Sequence, residues 1–398
     1  ENFVSKAVLQ AYATFFTNKY SEGYPGKRYY GGNQFVDVVE NLAIERAKQL
    51  FGAEHVNVQP YSGSPANQAV FFALLNVNDK FMGFDLSAGG HLTHGSPVNF
   101  SGKMYKCVPY NVDRKSELLD YDVITKQAKE AKPKMVLSGL TAYPRHIDFK
   151  AFKEICDEVG AYHFADIAHI AGLCATGLHQ NPVPYCDVVT TTTHKTLRGP
   201  RGAIIMCRIN DRLDKDAKKN LAQKIDSAVF PGLQGGPHDH VTAAKAVAFK
   251  EALQPDYKKY CGQIVKNAKA LAGSLMENGL ELVTGGTDNH LMVIKLVNKG
   301  LTGKGKEIQN ALGEAEIYVN KNTIPYEPST PFNPSGIRLG TPAITTRGMK
   351  ESEMEFIGKC IAKVIDNYTD KSVIERARKD ILELSKKFPL YPGMEVLR

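Results

Sequence analysis

The chain has 398 residues, of which 43% are hydrophobic and 23% charged, with a formal net charge of +8. These values are typical of a soluble globular protein with room for two domains. No apolar run approaches the roughly 20 residues of a membrane helix. The excess charge is dispersed and lacks an RNA-type aromatic and glycine motif. We therefore expect neither a membrane nor a nucleic-acid partner. Seven cysteines without a C-x-x-C pair favour reduced thiols and predict a cytoplasmic location.

Helices and strands alternate along the first two thirds of the chain, as in a parallel sheet covered by helices on both faces. Asn33 is predicted to cap a helix over 34–51 that buries Val38, Leu42 and Leu50 and ends at Gly52. Amphipathic helices are expected at 121–131 and 149–159. The predicted strands are 56–58, 80–84, 104–108, 135–137, 162–165, 188–191 and 203–207.

A hinge is predicted where Gln254-Pro255-Asp256 opens a long helix over 257–278. Strands at 291–296 and 336–339 and helices at 350–368 and 373–388 then indicate a smaller α+β unit. The predicted domains are an N-terminal arm at a dimer interface (1–29), a large α/β domain (30–252) and a small C-terminal α+β domain (253–398).

Two polar segments precede the most informative motif in the chain. Ser62-Gly63-Ser64 leads into an apolar helix over 69–75, where free amides and the helix dipole favour an anion such as a phosphate. Taken alone, this pattern is more often a simple cap and turn. His91 and His94 share a glycine-rich loop, but no third or fourth ligand stands at a usual spacing, so we predict no metal site.

The segment 190–202 places Lys195 after an apolar strand and four threonines, with Gly199, Pro200 and Gly202 breaking the chain behind it. A desolvated lysine loses its proton more easily and can form a Schiff base with an aldehyde, as in pyridoxal phosphate (PLP) enzymes. A surface lysine that ends a strand is the plainer alternative, but successive hydroxyls serve no packing purpose there.

Asp166 lies 29 residues before Lys195 and also ends an apolar strand. A buried carboxylate needs a cation, and a protonated pyridine nitrogen is such a cation. The plainer reading is a helix cap or a structural ion pair. Because ligands collect at the carboxyl ends of strands in α/β proteins, we expect Asp166 and Lys195 to share one site.

Five segments together resemble the serine hydroxymethyltransferase family. They are 20–32, 89–95, 166–169, 190–202 and 336–342, and the resemblance covers essentially the whole chain in order. It implies the PLP-dependent transferase fold of type I, the aspartate aminotransferase-like α/β fold with a mostly parallel sheet. It also implies a homodimer with shared active sites that transfers the hydroxymethyl group of serine to tetrahydrofolate, giving glycine and 5,10-methylenetetrahydrofolate.

The resemblance also implies roles for individual residues. Lys195, Asp166, Glu22, His91, His194 and Tyr30 would be catalytic. PLP would contact Gly63, Ser64, His91, Thr141, Asp166, His169, Thr192, Lys195, Gly236 and Tyr20, with Gly236 supplied by the neighbouring subunit. Arg338, Tyr30 and Glu22 would bind the amino-acid substrate, and Leu86, Leu92 and Asn322 the folate. In the family a substrate-contacting serine precedes Glu1-Asn2, so we expect the given sequence to lack that contact and an N-terminal helical arm.

The alternative function is that of another PLP enzyme of the same fold, such as a threonine aldolase or an aminotransferase. Tetrahydrofolate dependence separates these enzymes. An aldolase would ignore the folate, and an aminotransferase would require a keto acid.

Overall fold

The computed structural model describes residues 1–394 of the chain. Its strands are β1 (Gly23–Tyr24), β2 (Lys27–Arg28), β3 (His55–Asn57), β4 (Lys80–Phe84), β5 (Lys106–Tyr110), β6 (Met135–Gly139), β7 (Tyr162–Asp166), β8 (Val188–Thr192), β9 (Ala203–Cys207), β10 (Glu281–Leu282), β11 (Leu291–Lys295), β12 (Asn320–Asn322) and β13 (Gly336–Gly340). Its α-helices are α1 (Lys6–Tyr12), α2 (Gln34–Phe51), α3 (Gly63–Leu74), α4 (Phe100–Met104), α5 (Tyr121–Ala131), α6 (Phe149–Val159), α7 (Ala171–Ala175), α8 (Leu221–Ser227), α9 (Asp239–Ala252), α10 (Pro255–Glu277), α11 (Gly305–Glu314), α12 (Pro342–Thr346), α13 (Glu351–Asp366) and α14 (Lys371–Lys387).

The main sheet has seven strands in the order β3-β9-β8-β7-β6-β4-β5. The five strands β8, β7, β6, β4 and β5 are parallel to one another, whereas β9 is antiparallel to both β8 and β3. The strands are apolar on both faces because helices cover both. On one face Val136 and Ala165 join a core with α2, α5, α6 and α9. On the other, Leu137 and Phe164 pack with α3 and α8. The predicted mostly parallel α/β fold is confirmed.

A second, antiparallel sheet in the order β10-β11-β13-β12 has its own apolar core with α11, α13 and α14. Helix α10 belongs to both cores. Its first half buries Tyr257 and Cys261 against the main sheet, and its second half buries Leu271 and Leu275 in the other core. The division into three domains stays a prediction, and the last four residues of the third, 395–398, lie outside the described residues.

The face of α2 was predicted wrongly. Val38 and Leu42 are 58% and 42% exposed, whereas the helix buries Glu40 and the small residues Ala43 and Ala47. Close packing of α2 on α9 favours small side chains, and Glu40 is accommodated through an ion pair with Arg28 (Nη2 to Oε2, 2.6 Å). Leu50 packs partly buried against the core, as expected.

Three local predictions also need correction. Asn33 makes no side-chain cap bond to α2: its amide donates to the carbonyls of Tyr20 and Tyr30, and its buried Oδ1 has no partner among the described residues. Met104 ends helix α4 rather than beginning a strand, and helix α3 begins at Gly63, six residues before the predicted start at position 69. Gly52 does end α2, in the left-handed conformation with φ 72°. None of the described helices is long and apolar enough to span a bilayer.

Phe71 of α3 supplies the first test of this packing. It is 0% exposed, with its ring centroid 4.8 Å from that of Phe81 and 6.2 Å from that of Phe164. We expect Phe71→Ala to lower the free energy of unfolding by about 3–5 kcal/mol, measured by urea denaturation. The adjacent Phe72 is 52% exposed, so Phe72→Ala is the control and should cost much less. Equal losses in the two variants would contradict the assigned core.

Candidate active site

The carboxyl ends of four neighbouring strands meet at one edge of the main sheet. Asp166 is the last residue of β7, and the segments after β4, β6 and β8 carry His91, Thr141 and Lys195, respectively. They surround a cavity of about 270 Å³. The lining residues are Ser62, Gly63, Ser64, His91, His94, Leu140, Thr141, Asp166, Ala168, His169, Thr192, His194, Lys195 and Arg201. The predicted convergence of Asp166 and Lys195 is present in this cavity.

Lys195 stands on a tight turn directly after β8. The turn is closed by hydrogen bonds from the amide of Gly199 to the carbonyl of Thr193 (2.6 Å) and from the Thr193 hydroxyl to the carbonyl of Pro200 (2.5 Å). Burial lowers the pKa of Lys195 to about 8; the nearby Asp166 carboxylate raises it, and the cations Arg338 and Arg201 lower it further. A larger neutral fraction of this amine is therefore available near neutral pH than for a lysine in water, as a nucleophilic lysine requires.

Asp166 is held by three groups that favour its ionised form. Its Oδ2 accepts a hydrogen bond from Asn67 Nδ2 (2.8 Å) and lies 3.2 Å from His94 Nε2, while its Oδ1 accepts from the amide of Ala168 (3.0 Å). Burial alone would raise the pKa of this carboxyl. The contacts with His94 and Asn67 and the nearby His91 instead bring it below its ordinary value. Asp166 is thus a preformed anion in the wall of the cavity.

Three histidines of the cavity, His91, His169 and His194, are uncharged near neutral pH. Burial lowers the pKa of His91 and of His194 to about 4 each, and it lowers the pKa of His169 well below the usual value, with Lys195 and Arg338 adding to the effect at His169. His91 is fixed by its Nδ1, 2.8 Å from the Thr93 hydroxyl. The buried Nδ1 of His194 has no hydrogen-bond partner within the described structure. Such an orphaned polar atom indicates space for a ligand or for water.

The phosphate cradle, defined as residues 61–64, lies at the start of α3. The cap residue Ser62 makes no side-chain hydrogen bond to the helix, and the first turn contains no acidic residue. The amides of this turn are therefore available to an anion in the cavity. A Cβ atom on Gly63 would lie 2.8 Å from Thr192 Cγ2, so a larger residue would displace the strand that leads to Lys195.

Arg338 is next to the cavity, on β13 of the second sheet. Its guanidinium donates to the carbonyl of Thr141 (Nη1 to O, 3.1 Å) and to Asn320 Oδ1 (3.1 Å). Burial lowers the pKa of Arg338. Both partners are neutral oxygens, so this partly buried cation has an unmet preference for a carboxylate.

The other predicted residues lie apart from this cavity. Tyr20 and Tyr30 are 68% and 46% exposed, with ring centroids 5.8 Å apart. Glu22 packs near Gly235 and Gly236 of its own chain. Within a single chain, the segment 20–32 therefore does not reach Lys195.

The three predicted folate residues are arranged differently. Leu86 and Leu92 are 42% and 47% exposed, on two short turns after β4. Asn322 is half-buried at the end of β12, with its amide donating to the carbonyl of Thr323 (2.6 Å). None of the three lines the cavity around Lys195.

Several residues of the site escaped the sequence reasoning. Asn67 links Asp166 to the Thr190 hydroxyl, which donates to Asn67 Oδ1 (2.7 Å). His94, considered only as a metal ligand, contacts Asp166 instead. Asn2 donates to the carbonyl of Lys195 (2.9 Å) from a distant part of the chain. His94 could have been found through its place in the His91 loop, but the other two contacts left no local signal.

The chain matches characterised proteins along nearly its full length. The sequence model of the family "Serine hydroxymethyltransferase" matches residues 1–361. Serine hydroxymethyltransferases of Legionella pneumophila, strains Lens and Corby, are each 56% identical over 391 residues, which cover 98% of this chain and 91% of the relative. The chain belongs to the serine hydroxymethyltransferase family. This family is PLP-dependent and uses tetrahydrofolate.

The cavity suits the cofactor of this family. It combines an amine of lowered pKa, an ionised carboxylate, neutral histidines and a glycine cradle at a helix N-terminus. An aldehyde, a pyridine nitrogen and a phosphate each need one of these groups. Lys195, Asp166 and the cradle are therefore the residues of this chain that could hold PLP.

The electrostatic link between Asp166 and Lys195 is testable in the cofactor-free protein. We expect modification of Lys195 by an amine-directed reagent to titrate with a midpoint near pH 8. Asp166→Asn removes the carboxylate that stabilises the ammonium, so the midpoint should move to lower pH. Peptide mass spectrometry after timed labelling measures it. Asp148→Asn, which removes a carboxylate at the start of α6, should leave the midpoint unchanged. A midpoint that stays or rises in Asp166→Asn would refute the coupling.

Proposed function

We propose that this chain holds PLP covalently through Lys195 and uses it to interconvert serine and glycine with tetrahydrofolate as the one-carbon acceptor. Membership of the family supports the reaction: transfer of the serine hydroxymethyl group gives glycine and 5,10-methylenetetrahydrofolate. The single observation that carries the residue assignment is the juxtaposition of a buried amine of lowered pKa and an ionised carboxylate in one cavity.

When bound, PLP supplies an electron-withdrawing pyridinium ring that stabilises negative charge at the substrate Cα. Asp166 would keep the proton on the ring nitrogen, because an ionised carboxylate in a buried site favours a neighbouring cation. Lys195 would provide a neutral amine for attachment and afterwards a group that carries a proton. Gly63 and Ser64 would bind the phosphate through backbone amides.

Thr141 and the three histidines complete the proposed cofactor site. His91 would lie against the ring face, and His169 and Thr141 near its phenolic oxygen. His194, with Thr192, would support the attachment point at Lys195. All five residues line the cavity. Neutral imidazoles contribute shape and hydrogen bonds there. Because they carry no positive charge, they do not compete with the ring for the carboxylate of Asp166.

Arg338 would bind the substrate carboxylate. Its guanidinium has only neutral oxygen partners among the described residues. A planar guanidinium matches a carboxylate bidentately and so orients the bonds at Cα, which fixes the bond that lies perpendicular to the ring. Leu86, Leu92 and Asn322 would contact the folate from the turns around this position.

The chain would act as a homodimer in which Tyr20, Glu22, Tyr30 and Gly236 serve the partner's cavity. Two observations support this assembly. The segment 20–32 does not reach Lys195 of its own chain, and α2 presents the exposed apolar residues Phe35, Val38 and Leu42 (70%, 58% and 42% exposed). A second copy of the chain would cover such a face. All seven cysteines are free, which supports a reducing compartment such as the cytoplasm.

The covalent role of Lys195 has a direct test. We expect Lys195→Ala to lose turnover with serine and tetrahydrofolate and to show no borohydride-reducible link between PLP and the chain. Lys259→Ala alters an exposed lysine outside the cavity and should keep both properties. The measurements are the methylenetetrahydrofolate assay and mass spectrometry after reduction. A reducible link of normal yield in Lys195→Ala would overturn the assignment.

The shared site is tested by mixing two inactive variants. Lys195→Ala and Glu22→Ala homodimers should each be inactive or nearly so. Random re-pairing after unfolding and refolding at equal amounts makes roughly half of the dimers mixed, and each mixed dimer has one intact site, so about a quarter of the parental sites should return.

The control for this mixing experiment is Lys195→Ala refolded with Asp166→Asn. Both residues line the same cavity of one chain, so we expect no site with both residues intact in this mixture. Mixed dimers should be verified by native mass spectrometry. If they form without recovery in the Glu22→Ala mixture, Glu22 serves its own chain.

A further inference from the structure

Lys245 on α9 is a buried lysine outside the proposed chemistry. It is 2% exposed and among the largest fully buried side chains of the described residues. Its Nζ donates to three backbone carbonyls, those of Val58 (2.6 Å), Ala203 (2.9 Å) and Pro60 (3.3 Å). Burying an ammonium is costly, and lysines are almost never fully buried without a carboxylate partner. A group kept at such a cost calls for an explanation beyond packing.

The three carbonyls belong to two segments, each of which adjoins residues that line the cavity. Val58 and Pro60 connect β3 to the phosphate cradle, which begins at position 61. Ala203 opens β9 directly after the turn that carries Lys195. These segments also meet through the amide of Ala203, which donates to the carbonyl of Pro60 (3.3 Å). The ammonium therefore links the cradle segment to the turn that carries Lys195, residues 193–202, which we call the lysine turn.

The fit around Lys245 is close in both hydrogen bonding and volume. Three N–H donors face three acceptors, so removing the head group takes one donor from each of three backbone carbonyls. A Cβ atom on Gly202, the last residue of the lysine turn, would lie only 2.7 Å from Lys245 Cε. Burial lowers the pKa of Lys245 to about 7, and Glu40 raises it. The carbonyl oxygens of both segments thus accept hydrogen bonds from one buried amine.

We propose that Lys245 is a positioning residue for the cofactor: its ammonium sets the separation between the phosphate cradle and the Lys195 turn, so that both ends of PLP are bound at once. This inference rests on the proposed binding of PLP in the cavity. Its specific content is that Lys245 controls affinity for the phosphate end without touching the cofactor.

Pyridoxine 5′-phosphate is the appropriate probe, because it carries the ring and phosphate but has no aldehyde for Lys195. The full chain is stripped of cofactor, and binding of the probe is measured by calorimetry for the parent and for Lys245→Met. Methionine approximates the length of lysine without its donors. Asn267→Leu is the matched control, since Asn267 is 0% exposed and donates to Thr345 Oγ1 and the Met349 carbonyl, away from the cavity. Urea midpoints are recorded for all three proteins.

We expect Lys245→Met to weaken probe binding by about tenfold or more, the scale of lost charge-assisted hydrogen bonds, while Asn267→Leu loses stability but keeps affinity within about twofold. Lys245→Arg, which keeps the charge, should recover part of the affinity. Unchanged affinity in a folded but destabilised Lys245→Met would overturn the proposal and leave Lys245 a purely structural residue. If the parent itself fails to bind the probe, the proposed PLP site fails instead.

A second measurement decides the matter should Lys245→Met not fold. Hydrogen exchange of the parent is compared with and without pyridoxine 5′-phosphate. We expect protection at the cradle and also across the lysine turn, including the amides of Thr193 and Ala203, which bond to the carbonyls of Gly202 and Pro60. Protection confined to residues 61–66 would show that the two segments respond independently and would overturn the proposal.

Discussion

Burial of ionised groups at the carboxyl edge of the main sheet is the constraint on which the site depends. Asp166 carries a negative charge in a largely buried place where few water molecules can stabilise it, so Asn67, His94 and a backbone amide do so instead. Lys195 experiences the opposite effect of the same burial and gives up its proton more readily. One partly desolvated cavity thus holds an ionised carboxylate and an amine that loses its proton more easily than a lysine in water.

Polar contacts within the chain also hold the segment 20–32 in place. The segment 20–32 is fixed by buried polar contacts: the Ser21 hydroxyl lies 2.8 and 2.7 Å from the two oxygens of Asp239, and Arg28 donates to the carbonyls of Ser21 and Gly23. Glu22 lies between these two held residues. A loop that projects from its own chain needs such internal support if it is to present a side chain at a defined place on another surface.

Much of this arrangement follows from the sequence, because parallel strands bring their carboxyl ends together and Asp166 and Lys195 each end or follow a buried strand. The glycine at position 63 was also interpretable, since a helix N-terminus attracts anions. Contacts between distant segments were not accessible: Asn67 and Asp166 are 99 residues apart, and nothing in the local pattern relates them. The buried face of α2 was misjudged because three of its apolar residues, Phe35, Val38 and Leu42, point away from the core. The burial of Lys245 was not predictable either, because its neighbours in the sequence are those of an ordinary charged residue on a helix.

Helix α10 has a consequence for how the protein unfolds. Because Tyr257 and Cys261 belong to the core of the main sheet while Leu271 and Leu275 belong to the other core, neither half can be excised without leaving an apolar stripe in water. Unfolding of one core therefore also destabilises the other, because both include side chains of α10. Because α10 is part of both cores, we expect the two halves to unfold together as one cooperative unit. Heat or denaturant should then populate no stable intermediate in which only one half is folded.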